Sequence, residues 1–443
     1  MNTQLSMYVE EEDAQKAVCR FGNLKIPRGL FSMPTISPGI QKNLDVEALM
    51  ANISGGSFPH AITPHLSTKQ RYIVKLMPML PSGKGVIHPF VVPDPEYEAL
   101  SVNCLARLNY MQFENPPPTV RMIMDSGLTD DPDTDRFNVT TRWQTIRQRY
   151  GLAPLLDWSL NLHDSINSDL YLAPTPIMRA DEKLKSIEEA FTSGYFLLSN
   201  AVSSARFALN GIHTLLHIEI FSDTDEADAA RNKILTEFES WKSEKQQYRG
   251  SIVGIKLYDP NNLFGEADSG SVRRRLFSEF VTELSSKVRG ADGFVIGYNF
   301  ANLSLGILDS GADLATFKVA GGMRIDVPIK SSKGKRGKRR IPSVFDGSTL
   351  SEVGSDIIKQ TYNKYGSFPV PACMQPKPYW DENYKEASIY ARRTRCASLI
   401  AVGEEYRAAA LDNAIPLKDS LRNRIMQSEA RQELIDLCPT ING

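Results

Sequence analysis

Cysteine is scarce and shows no paired pattern: the five residues Cys19, Cys104, Cys373, Cys396 and Cys438 form no CxxC spacing. That argues against a disulfide framework or a zinc knuckle and predicts reduced thiols in a cytoplasmic protein. Histidine is sparse too, and none of the six follows His217. Long apolar runs are missing, none approaching the ~18 residues of a bilayer span, so no membrane association is expected. Met1 to Arg20 holds Glu10, Glu11, Glu12 and Asp13 around no apolar core, which predicts neither a secretory nor a transit signal there. An excess of one charge is also lacking, with Lys+Arg 51 against Asp+Glu 52. No global field favours nucleic acid, and any basic footprint must be local.

What is present is the composition of an ordinary globular protein, 42% hydrophobic and 23% charged over 443 residues. Pro27, Gly29, Pro34, Pro38 and Gly39 break the segment from Phe21 to Asn43 into pieces that suit short N-terminal antiparallel strands. The middle of the chain alternates helix-period and strand-period segments. Asp181 to Leu209, Asp225 to Lys245 and Ser271 to Val288 read as helices; Thr214–Ile220, Ser251–Leu257 and Gly293–Tyr298 read as strands. A short helix from Leu303 to Leu308 precedes Gly311–Phe317. This pace predicts an α/β fold of the (β/α)8 TIM-barrel type over residues 1–345, with a C-terminal helical appendage over 346–443. Within that appendage Ser348 to Tyr365 and Asp381 to Leu437 read as helical.

Val120-Arg121-Met122-Ile123-Met124-Asp125-Ser126-Gly127 is an apolar run of strand length that halts in a carboxylate, a hydroxyl and a glycine. Parallel sheets place their chemistry at the carboxyl ends of strands, which makes Asp125 a candidate active-site acid; a plain Asp-Gly turn is the alternative. Further on, the segment from Lys330 to Arg340 carries seven positive charges, among them Lys333, Lys335, Arg336, Lys338, Arg339 and Arg340, and no acid. It reads either as a solvated loop or as a phosphate-binding arm. His213 and His217 share a strand face, as polar residues at a strand end or as a metal pair. Arg273, Arg274 and Arg275 read either as phosphate binders or, because they point to different sides of a helix, as solvated surface.

Several of these segments together resemble the tRNA-guanine transglycosylase family, which exchanges guanine in nucleic acid for a 7-deazaguanine. Phe21 to Gly29, followed by Met33-Pro34-Thr35-Ile36-Ser37-Pro38-Gly39 and Lys42, looks like the family's N-terminal motif. Met124-Asp125-Ser126-Gly127 is similar to its T-D-S-G-G-F-Q, and Gly311-Ala312-Asp313-Leu314, reaching Arg324, to its G-V-D-M-F-D-C. The resemblance implies a (β/α)8 barrel in which one Asp acts as acid/base and a second attacks the ribose of a flipped-out nucleotide. It puts the acid/base at Asp125, with Ser126, Gly127, Asp169 and Glu219 near the base.

The departures from the family pattern are chemical. Thr316 stands at the nucleophile position, and a threonine hydroxyl without a neighbouring base is a poor nucleophile; Asp313, three residues earlier, is the remaining acid of that segment. Leu128, Thr129 and Asp130 replace residues that contact the base. At the zinc ligands only Cys373 remains, with Gln375 and Pro378 at the next two positions, so neither a metal nor a cofactor is expected. The chain looks like diverged members found in bacterial antiphage operons, including type IV cyclic-oligonucleotide (CBASS) systems and clusters that modify DNA with deazaguanines. Three readings follow. The first is a pseudoenzyme of antiviral defence that binds a 7-deazaguanine such as preQ0, a nucleic acid (RNA or DNA), or an operon-encoded protein partner. The second is an active transglycosylase pairing Asp125 with Asp313 or Asp169. The third is an assembly subunit, the non-catalytic half of a dimer; a homodimer is expected from the resemblance.

Overall fold

The computed structural model describes residues 61–65, 86–89, 122–125, 170–180, 187–188, 191, 209–243, 251–259, 261–289, 294–298, 300–318, 344–354, 357, 360, 364, 384–411 and 414–442. The expected N-terminal strands, Ser126, Gly127, Asp169 and the basic segment 330–340 lie outside them. Eight strands make one sheet: β1 (Ile62–His65), β2 (Val86–Pro89), β3 (Met122–Asp125), β4 (Leu170–Met178), β5 (Leu209–His217), β6 (Ser251–Tyr258), β7 (Phe294–Tyr298) and β8 (Leu314–Lys318). Each pairs in parallel with the next in chain order, and β8 also pairs with β1, so the order of pairing returns to its start.

Helices α1 (Asp225–Ser243), α2 (Asp268–Arg289) and α3 (Ser304–Asp309) link β5 to β8. Asp225, Glu226 and Asp228 in the first turn of α1 complement the helix dipole, and the Thr224 hydroxyl accepts from the Ala227 N–H at 3.2 Å. Ala227, Ala230, Ile234, Leu235 and Phe238 recur at helical spacing and are buried. On α2 the buried stripe runs through Arg274, Phe277, Ser278, Val281, Leu284, Ser285 and Val288. Arg274 thus corrects the expectation of a solvated arginine: it sits on the same 3–4 spacing as the apolar residues. No described helix is long and apolar enough to cross a membrane.

Two segments differ from the sequence reading. The strand expected over Thr214–Ile220 begins at Leu209 and stops at His217, because Ile218–Phe221 turns into a 3-10 helix. Arg231 holds that turn open to the strand by donating Nη1 to the carbonyls of Ile220 and Ser222 at 2.6 and 3.0 Å. In the C-terminal region, Ser351–Val353 is a strand where the pattern predicts a helix. With β9 (Val344–Asp346) it forms an antiparallel pair, as β10. Asp346 closes the hairpin by accepting from the Ser348 N–H at 2.9 Å and from the hydroxyls of Ser348 and Thr349.

Four helices follow: α4 (Tyr384–Leu411), α5 (Ile415–Gln427), α6 (Arg431–Leu437) and α7 (Pro439–Asn442). Their buried Leu399, Val402, Leu421, Ile425, Leu434 and Leu437 belong to the same hydrophobic cluster as Ile62, Val295 and Phe317 of the sheet. Appendage and sheet therefore share a core among the described residues. Asp309, at the end of α3, anchors the chain terminus: its carboxylate accepts from the Thr440 N–H at 2.7 Å, the Ile441 N–H at 3.2 Å and the Thr440 hydroxyl.

Burial raises the Asp309 carboxyl above its usual range, against the opposing pull of its hydrogen bonds to Thr440 and Ile441. A raised folded-state value means that its stability contribution is fully present below the unfolded value and lost as pH rises through the folded one. Asp309→Asn keeps an acceptor for the two amides but carries no charge. Its stability relative to the parent should therefore improve between about pH 3 and about pH 7, read as urea midpoints at the two ends. A difference independent of pH would contradict this. Next to it the Cys438 thiol is pushed well up by burial and by the nearby Asp309 charge, which leaves it unreactive.

Candidate functional site at the strand carboxyl ends

In a parallel sheet all carboxyl ends lie on one rim. Asp125 is the last residue of β3, in register with Pro89, the last of β2. His217 ends β5 and pairs in register with Tyr258, the last residue of β6. Tyr298 ends β7. The strand end predicted at Asp125 is thus at the rim where ligands of parallel sheets bind.

The two faces of the sheet differ in chemistry. Val253, Ile255 and Leu257 of β6, Val295 of β7, and Ala315 and Phe317 of β8 join the hydrophobic cluster shared with the helices. Alternation puts Lys256 and Tyr258, Ile296 and Tyr298, and Leu314 and Thr316 on the other, inner face. Leu215 and Tyr258 accordingly form a separate small cluster. The inner face near the rim is polar yet buried: His217 is 5% exposed, Lys256 3%, Tyr258 3%, Tyr298 1% and Thr316 0%.

His217 stacks obliquely on Tyr258, with ring centroids 5.4 Å apart. Its Nδ1 accepts the Glu219 N–H at 3.3 Å, while the Glu219 carboxylate, half exposed, lies 3.4 Å from the same nitrogen. Glu219 itself is exposed in the 3-10 turn, where its carbonyl accepts from the Ser222 hydroxyl at 2.8 Å. Asp259, directly after β6, is buried and accepts from the N–H groups of Leu263 and Phe264, both at 2.8 Å, shaping the turn into α2.

Asp313 does not join Asp125. It immediately precedes β8 and so belongs to the opposite, amino-terminal rim. There its Oδ2 accepts the Val295 N–H at 2.8 Å and its own N–H donates to the Val295 carbonyl at 2.9 Å, a clasp on the start of β7. The same rim holds Arg407 and Glu404 of α4, 3.5 Å apart. Burial draws the Arg407 guanidinium down while Glu404 and Asp313 hold it up. Asp313 has the surroundings of a structural carboxylate. Thr316, the position at which the sequence resemblance would expect a nucleophile, is fully buried in register with Thr63 on β1. Its carbonyl accepts the Phe300 N–H at 2.9 Å.

Sequence reasoning does not single out Lys256, Tyr258 and Tyr298. The available signal is a single lysine, Lys256, in the otherwise apolar run from Ile252 to Tyr258, which is buried in the folded sheet. Among the described residues no group of three His, Cys, Asp or Glu side chains could hold a metal ion. No protein-family model matches this chain, and no curated protein matches it.

Proposed function

We propose that this protein is a diverged tRNA-guanine transglycosylase-like (β/α)8 barrel that binds a 7-deazaguanine or a related purine-like base at its strand carboxyl ends, without standard base exchange. The observation that carries the reading is the separation of the acids: Asp125 ends β3 at the carboxyl rim, whereas Asp313 clasps β7 at the amino rim and β8 itself carries Thr316 and no acid. A double displacement at ribose needs a nucleophile and an acid on the same nucleotide. One carboxylate at the rim suits recognition of a base edge. In this reading Asp125, flanked in sequence by Ser126 and Gly127, accepts hydrogen bonds from the ring N–H and amino groups of the base. The basic segment from Lys333 to Arg340 supplies an arm for RNA or DNA phosphates, and the setting is bacterial antiviral defence in the cytoplasm, with a protein partner or a second copy of the chain.

The test is calorimetric titration of the full chain with 7-cyano-7-deazaguanine, beside incubation of labelled base with RNA and DNA. Saturable binding is expected, weakened by about tenfold or more in Asp125→Asn, the size of a lost hydrogen bond to a charged group. No label should enter either polymer. Incorporation that disappears in Asp125→Asn would replace this reading with that of an active transglycosylase.

A further inference from the structure

We draw no further inference here: the strongest candidate, the buried Tyr258 hydroxyl at the carboxyl end of β6, has no hydrogen-bond partner among the described residues, but neither a cavity nor a second group that would hold a ligand is shown beside it among those residues.

Discussion

Asp436→Ala should lower the stability of this protein by about 3–5 kcal/mol, the cost of stranding a buried charge. Arg274 on α2 is 1% exposed, and its Nε donates to Asp436 Oδ2 on α6 at 2.8 Å, with the Asp436 side chain 7% exposed. Nη1 meets the Phe264 carbonyl and, at 3.1 Å, that of Glu266. When Asp436 is removed the guanidinium cannot reach water, because those carbonyls hold it in place. The surface pair Lys287–Glu239 is the contrast, since Glu239 is 56% exposed and such pairs contribute about 0–1 kcal/mol. Equilibrium denaturation should show the midpoint fall in Asp436→Ala and scarcely move in Glu239→Ala. Replacing both buried partners by apolar residues should recover only part of the loss: the charge is gone, but two carbonyls lose their donor. Equal effects of the two alanine variants would sink this account.

Arg274 also shows what can be read from sequence and what cannot. The α1 and α2 helices and strands β6 to β8 are legible because their apolar residues repeat at 3.6 or 2 and their ends are marked by acids or glycine. Bounds slip where local chemistry competes with pattern. Ile218 and Ile220 look like strand residues, yet the His217 ring accepts the Glu219 amide and Arg231 gathers the next carbonyls, so the chain turns. At 351–353 the Asp346 turn and the packing of the hairpin on α4 override a helical pattern. The candidate site is half legible. Asp125 announces itself by ending an apolar run, whereas Lys256 is hidden: a lone lysine in a strand ordinarily reaches water, and here it is buried. Asp313 misleads for the opposite reason. Its place before a strand is plain from sequence, but which rim that start occupies depends on strand direction, a tertiary property.

Gly403 tests how tightly the appendage is bound to the sheet, with the second large effect. It lies within α4, where alanine would ordinarily be preferred to glycine by about 1 kcal/mol. A Cβ at this position would sit 2.7 Å from the backbone nitrogen of Ile62 and 2.8 Å from its Cγ1. The first of these is main chain of β1, the strand that pairs with β8, and cannot swing aside; relief requires α4 to move off the sheet. Overpacking of this kind costs about 1–3 kcal/mol, so Gly403→Ala should still destabilise after the helix-propensity gain is subtracted. Gly403→Val has no such offset, because its branched side chain loses rotamer freedom in a helix, and a loss of about 3 kcal/mol is expected. Gly354→Val is the control, at an exposed position with nothing within 4 Å of where its Cβ would stand. Because Glu404, the next residue, accepts the Ala61 N–H at 3.3 Å, displacement of α4 should also loosen the start of β1. Hydrogen exchange at Ala61 and Ala315, whose N–H donates to the Ala61 carbonyl at 2.8 Å, should then speed up in Gly403→Val while the β5 and β6 amides keep their protection. Uniform loss of protection across the sheet would mean instead that α4 and the strands unfold as one cooperative unit.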